Sequence, residues 1–292
     1  HFIKKFNCYY GFSTQNMLKY LCDFLCIFEV IFLKKVLKKI CEGLGIEIFG
    51  FCDFSLLENE LFDCAAKKKL PDNVTSVITF LFPYKVKKEK PKNISRYATV
   101  KDYHKVCSKM LEEICFKLKE NFKENEFIFF IDNSPINEVK AAVYSGLGVM
   151  GKNGLLINEK YGSFCFIGEI VTDFKIQTVN INNTKCIECN VCIKNCPSGF
   201  LSDKNNKCLS SVTQQKQPLT KFEEEMIKKE GCIWGCDKCQ EVCPMNKDKE
   251  FTKINEFIIS YKNEYTENED ITDRAFQWRG EKIIKRNYDI LK

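Results

Sequence analysis

Strands and amphipathic helices alternate as far as about residue 175, and two tight cysteine runs follow, at 186–197 and 236–244. These two features predict an α/β (α+β) domain followed by a small bacterial ferredoxin-like domain. Composition agrees: 45% hydrophobic and 29% charged residues are those of a folded chain. A length of 292 residues holds one large domain or two of ordinary size.

The elements read in order as follows. The chain opens on His1, which is not a native start, and Met17 to Leu33 is apolar and aromatic, broken by Lys19, Asp23 and Glu29. A membrane span needs about 20 nearly uncharged residues, and no small-residue cleavage site marks a signal peptide. Residues 1–33 therefore read as a helical N-terminal extension of unknown role. From Leu33 the positions Val36, Leu37, Ile40, Cys41 and Leu44 mark an amphipathic helix that Gly43 and Gly45 end. Ile46 to Phe51 alternates as a strand, and Val74 to Phe82 is a β-rich run stopped by Pro83. After a basic loop (Lys85 to Lys92), a helix is expected over 101–120, with Tyr103, Val106, Met110, Ile114 and Leu118 on one face. Phe127 to Ile131 is a continuous apolar strand, as in a sheet covered on both faces. A helix to Gly146 and a buried strand over 164–171 complete the α/β domain, set at 34–175. The cysteine module occupies 176–248, and 249–292 reads as a charged helical tail.

The first run, Cys186-x2-Cys189-x2-Cys192-x3-Cys196-Pro197, has the spacing of bacterial ferredoxins, where three cysteines hold one 4Fe–4S cluster and the fourth reaches a second. The second, Cys236-x2-Cys239-x3-Cys243-Pro244, repeats it with the roles exchanged. Two cubic clusters take eight thiolates and the runs supply seven, so Cys208 and Cys232 compete for the eighth place. Paired C-x2-C units also make zinc sites, but the x3-C-P endings favour iron–sulfur clusters. Clusters together with free thiols among 18 cysteines indicate a reducing cytoplasm. The net charge of +6 permits a polyanionic partner without requiring one.

In the α/β domain, Asp132-Asn133-Ser134-Pro135 follows the apolar strand directly, where open sheets bind ligands. Asp132 reads either as a general acid with a raised pKa or as a helix cap. Gly146 to Gly154 is glycine-rich, which suits a close approach to a bulky ligand or a plain loop. Asp102-x-His104-x-x-Cys107 is one residue short of the D-x-H-x-x-G signature of proteins that ligate cobalamin through histidine. His104 thus reads as a packed or surface histidine, not a cobalt ligand.

Taken together, the residues resemble the epoxyqueuosine reductase family. The matching pieces include Ser95-Arg96-Tyr97-Ala98, Asp102-Tyr103-His104, Asp132 to Pro135 with Glu138, and Gly146-Leu147-Gly148 with Gly151-Lys152-Asn153 and Leu155-Leu156-Ile157. They continue with Gly162-Ser163-Phe164 and Gly168-Glu169, the cysteine runs, Cys208 in a C-[IL]-S-x-x-T context, and Trp278-Arg279-Gly280. The chain reads as a C-terminally short form, since many members continue into a helical-repeat region.

The resemblance implies an oxidoreductase of tRNA queuosine biosynthesis that removes the epoxide oxygen of epoxyqueuosine. It implies cobalamin and two 4Fe–4S clusters as cofactors, with a cobalamin-binding α/β domain. Asp132 would be the proton donor. Arg96, Tyr97, Tyr103, His104, Ser134, Lys152, Asn153, Gly154, Leu156 and Ile157 would contact cobalamin. Cys186, Cys189, Cys192 and Cys243 would hold one cluster, and Cys196, Cys208, Cys236 and Cys239 the other. The implied partners are tRNA at the anticodon loop and an external electron donor such as flavodoxin or ferredoxin. The implied setting is a cytoplasmic monomer with no membrane. Two rivals share the cluster core: a corrinoid-dependent reductase of a small molecule (dehalogenase-like) or reductive activator of another corrinoid protein, and a pure two-cluster electron carrier.

Overall fold

A computed structural model describes residues 14–176 and 185–292, with side chains from Phe28 onward in the first helix. From Thr14 the extension and the predicted amphipathic helix are one continuous element, α1 (Thr14–Leu44), and residues 1–13 of the expected extension lie outside the described residues. Its C-terminal half buries Leu33, Leu37, Ile40 and Cys41 at helical spacing and leaves Phe28 and Ile31 outward. Gly45, at φ +72°, takes the left-handed position that ends it.

Four strands make the central sheet: β1 (Ile48–Asp53), β2 (Ser76–Pro83), β3 (Phe127–Ile131) and β6 (Cys165–Thr172). Their order is β1-β2-β6-β3, antiparallel throughout. The architecture is therefore α+β, and β3 lies at an edge. Its apolar run is still explained, because helices cover both faces of the sheet. On one face Ile78, Phe80, Phe82 and Ile170 pack against α1 and α2 (Tyr103–Asn121). On the other, Val77, Leu81, Ile167 and Val171 meet the short α3 (Glu138–Tyr144) through Ala141 and Ala142. The glycine-rich stretch is a hairpin of β4 (Val149–Met150) and β5 (Leu156–Ile157).

The cysteine module is built of short helices: α4 (Val191–Lys194), α5 (Leu209–Gln214), α6 (Lys221–Glu230) and α7 (Lys238–Glu241). Thr220 and Glu223 form a capping box that starts α6. The tail is only partly helical, with α8 (Asn255–Ile259) and α9 (Glu281–Leu291) separated by irregular chain of turns and one 3-10 turn (Gln277–Arg279). It works as a strap. Phe257 enters the first core, and Tyr265, Ile271 and Phe276 pack on Ile94, Ala98 and the fully buried Trp234.

Gly235 locks the cysteine module to the α+β domain. It sits at φ +77°, and a Cβ there would strike the Ser95 side chain and the Tyr97 ring. Gly235→Ala is expected to cost about 1–3 kcal/mol, read as a lowered thermal midpoint together with loosened binding of whatever Tyr97 contacts.

Candidate active site

The cysteines separate into two sets. Cys186, Cys189, Cys192 and Cys243 line one small cavity, closed on the other side by Gly151, Lys152, Asn153 and Ile157 of the hairpin. Cys196, Cys208, Cys236 and Cys239 line part of a second cavity. Tight turns gather the first set, with Glu188 and Asn190 in left-handed backbone conformations. Burial pushes the Cys236 thiol up to about 12 and Cys239 to about 11, and both also feel Cys208. Cys239 further feels Cys192 of the other set, so the two sets are neighbours. Cys232 lines neither cavity, and its thiol points at the carbonyls of Trp234 and Gly235, 3.3 and 3.4 Å away. Among the described residues no three ligating side chains converge on a point as a single ion requires. Thiolates around a four-iron cube stand wider apart than the four ~2.3 Å bonds of a zinc ion allow.

The second cavity has a volume of about 320 Å³ and is mostly apolar. Opposite its cysteines stand Tyr84, Tyr97, Tyr103 and Phe166. Tyr103 stacks on Phe166 with centroids 4.1 Å apart and planes 9° apart, and the His104 ring lies 4.0 Å from Tyr103 on the chain side. Ser163, Asn153 and Gln240 add a few polar groups to the lining.

His104 occupies the first turn of α2, which Asp102 caps by accepting its N–H at 3.0 Å. Its Nδ1 is 2.8 Å from Asp102 Oδ1, and its Nε2 is 3.2 Å from Asp132 Oδ2. Asp132 thus reaches outward from the end of β3 to the histidine, and it does so from a left-handed backbone, φ +58°. Such a conformation is costly for a non-glycine residue and gathers at functional sites. Both readings of Asp132 need correction. It does not cap α3, whose cap is Asn137. Nor is its carboxyl raised: the His104 hydrogen bond outweighs burial and holds it below the ordinary carboxylate value. Burial pulls His104 down, but the hydrogen bonds and charges of Asp102 and Asp132 outweigh it and lift the imidazole to about 9. At neutral pH the site therefore holds an imidazolium bonded to the Asp132 carboxylate, with Asp102 on its other nitrogen.

A histidine raised in the folded state contributes stability that is full below its ordinary value of 6.5 and is lost as pH rises through about 9. The thermal midpoint of the wild type is thus expected to fall more steeply between these limits than that of His104→Ala. Melting curves across this range check it.

The remaining predicted contacts are dispersed. Tyr97, Tyr103 and Asn153 line the larger cavity, whereas Lys152 and Ile157 face the first cysteine set. Leu156 is core beneath α3, Gly154 is a turn residue at φ +81°, and Ser134 is buried in the loop after β3. The Arg96 guanidinium lies over Phe164 at 5.4 Å, and its backbone N–H donates to Asp237. Sequence reasoning missed Phe166, Tyr84, Gln240 and Asp237 as parts of the site. The first two look like ordinary core, and nothing local distinguishes them. Asp237, inside the second cysteine run, was legible as a polar residue flanked by ligand positions.

An aromatic-walled cavity bordered by one of two adjacent four-cysteine sets, with an ion-paired carboxylate at its edge, defines an iron–sulfur oxidoreductase. Comparison with known proteins agrees. Residues 65–133 match the family model described as "Epoxyqueuosine reductase QueG, DUF1730", and 185–246, which carry all eight cysteines, match the 4Fe-4S double cluster binding domain. The epoxyqueuosine reductase of Cyclobacterium marinum is 30% identical over 276 residues, covering 91% of this chain and 86% of its own. That of Leadbetterella byssophila is 33% identical over 221 residues, 72% and 71% of the two chains. The structure of epoxyqueuosine reductase from Streptococcus thermophilus superposes with a TM-score of 0.74 at 25% identity, covering 88% of this chain and 80% of that one. A second, 22% identical with a TM-score of 0.73 over 90% of this chain and 81% of its own, is of epoxyqueuosine reductase with an epoxyqueuosine-modified tRNA-Tyr stem loop. The chain belongs to the epoxyqueuosine reductase family.

Proposed function

We propose that this chain reduces the epoxide of epoxyqueuosine in tRNA to give queuosine, using two 4Fe–4S clusters and cobalamin. The observation that carries the reading is one cavity lined by four cysteines and by Tyr103, with the His104 ring 4.0 Å from that tyrosine and Asp132 bonded to His104. Cys186, Cys189, Cys192 and Cys243 hold one cluster; Cys196, Cys208, Cys236 and Cys239 hold the second, next to the cavity. Cys208 is preferred to Cys232 because it lines that cavity and Cys232 does not.

The cavity suits the face of a flat macrocycle: its walls are aromatic and apolar, with few polar groups. Tyr97, Tyr103, Phe166 and Asn153 would hold cobalamin there. When bound, it supplies the low-potential reduction that opens the epoxide. The residues do the rest. The adjoining cysteine set keeps the electron path short. Opening the ring leaves charge on oxygen, which a positioned proton stabilises. Asp132 is ionised at rest, so the proton resides on His104 and passes outward through Asp132, 3.2 Å away. Asp102 holds the imidazole in place from its other nitrogen.

tRNA as substrate draws support from the relative whose structure includes a modified stem loop. It also draws support from Trp278, which is 57% exposed and has the Arg279 guanidinium stacked at 3.8 Å. Gln277 beside it bonds to Lys105, the neighbour of His104. An exposed aromatic and a stacked cation form a platform for an unpaired base. Within this reading residues 34–175 bind cobalamin, 176–248 bind the clusters and 249–292 strap the two together. The protein acts as a monomer in the cytoplasm, with electrons from a flavodoxin or ferredoxin. Among the described residues no helix is long and apolar enough to cross a membrane.

The test is anaerobic turnover of an epoxyqueuosine-containing stem loop by protein loaded with both cofactors. Loss of one oxygen from the modified nucleoside is expected. Cobalamin and clusters bound with the stem loop untouched would favour the corrinoid-reductase rival, and no retained cobalamin would favour the electron carrier.

A further inference from the structure

Removing an epoxide oxygen breaks two C–O bonds, forms a carbon–carbon double bond and releases water. It consumes two electrons and two protons. Two clusters supply the electrons, one each, but the His104–Asp132 pair stores only one proton. The structure holds a second pair of acids directly behind it. Glu169 stands in the middle of β6, opposite Thr79 and Phe130. Its side chain is completely buried on the α3 face of the sheet, and among the described residues neither carboxylate oxygen has a hydrogen-bond partner. Glu138, the first residue of α3, is partly buried and close enough to feel both Glu169 and Asp132.

We propose that the buried Glu169 and the partly buried Glu138 are a proton-storing carboxyl pair that delivers the second proton of the reaction to Asp132. The proposal rests on the functional reading above. An ionised carboxylate buried without a partner is costly, and a like charge beside it disfavours ionisation further. The surroundings agree. Cys52 of β1 faces Glu169, and Thr79 of β2 bonds to Ser145 instead. Ser134 lies near enough to Glu169 to ease its ionisation slightly, without meeting hydrogen-bond geometry. Around Glu138 stand Asp132 and Tyr103, and beyond Asp132, His104. The one cation on α3, Lys140, is turned away to Glu60. Burial, with the Asp132 charge adding, lifts Glu138 to about 7, and burial and Glu138 lift Glu169 well above the ordinary range. After Asp132 has passed on the His104 proton, Glu138, whose carboxyl feels the Asp132 charge, is the acid that refills it. Both glutamates are positioning residues, acting through Asp132.

The experiment has two readouts. In the cofactor-free protein, the infrared carbonyl stretch of a protonated carboxyl is expected at neutral pH. One component titrates near 7 and disappears in Glu138→Gln; another persists to higher pH and disappears in Glu169→Gln. In loaded protein, the single-turnover rate of Glu138→Gln is expected to fall on the order of tenfold below pH 7. Its wild-type decline through pH 7 should vanish, with stem-loop affinity unchanged. If Glu169→Gln fails to fold, Glu138→Gln, at a partly buried helix start, still decides. No protonated-carboxyl band in the wild type, or a Glu138→Gln enzyme with wild-type rate and pH profile, overturns the proposal. A wild type that shows the bands but converts no epoxide overturns the functional reading instead.

Discussion

Asp132→Asn is expected to lower epoxide reduction by about 10²–10⁴-fold, the span of a positioned general acid, or roughly 3–5 kcal/mol of barrier. Asparagine keeps the shape and can still meet His104 Nε2, but it cannot carry a proton outward. Stem-loop binding and the iron content should stay as in the wild type, because Asp132 lies outside both cysteine sets and its side chain is 61% exposed. Loss of the histidine's partner should also bring His104 down from about 9, since Asp132 supplies part of its elevation. A pH titration of the single histidine C–H resonance that belongs to His104 reads this directly. Unchanged turnover would remove Asp132 from the chemistry, whatever its geometry.

The second large effect concerns the cysteines. Cys208→Ser is expected to remove one of the two clusters, halving the iron and inorganic sulfide bound per chain, while Cys232→Ser keeps both. The ground is position: Cys208 shares a cavity with Cys196, Cys236 and Cys239, and Cys232 points at backbone carbonyls. The cluster beside the cavity is the one lost, so electron flow to the epoxide should stop even with the outer cluster reducible. Iron analysis and the electron paramagnetic resonance of the reduced proteins check both statements. A Cys232→Ser protein that loses a cluster would reverse the assignment.

Much of the fold was legible because local rules coincided with the tertiary outcome. The strand 127–131 is a continuous apolar run and the helix over 103–121 carries strong periodicity, and their observed bounds lie within two residues of expectation. The antiparallel order of the sheet was not legible, because a helix between two strands is compatible with either direction. The tail was read as helical from its charge and spacing, yet its middle is a strap fixed by Tyr265, Ile271 and Phe276 on Trp234. Only distant packing decides that. In the site, the cysteine spacing announced the clusters because the ligands come from two short runs. The His104–Asp132 contact joins residues 28 positions apart, and no local pattern foretells it. For the same reason the sequence suggested a raised Asp132, whereas the histidine brought to it by α2 sets the opposite direction. Glu169 was legible only beside Gly168 in the family pattern, and its burial without a partner among the described residues is set by the sheet.

The most direct measurement is a single turnover with no external reductant. Protein carrying cobalamin and both clusters, each reduced by one electron, is mixed anaerobically with one equivalent of epoxyqueuosine stem loop. Cluster oxidation and nucleoside mass are followed together. The account predicts that both clusters reoxidise as one epoxide per chain loses its oxygen, with Asp132→Asn slowing the two events alike. Clusters that stay reduced beside an intact epoxide, or that reoxidise without loss of the oxygen, would contradict it.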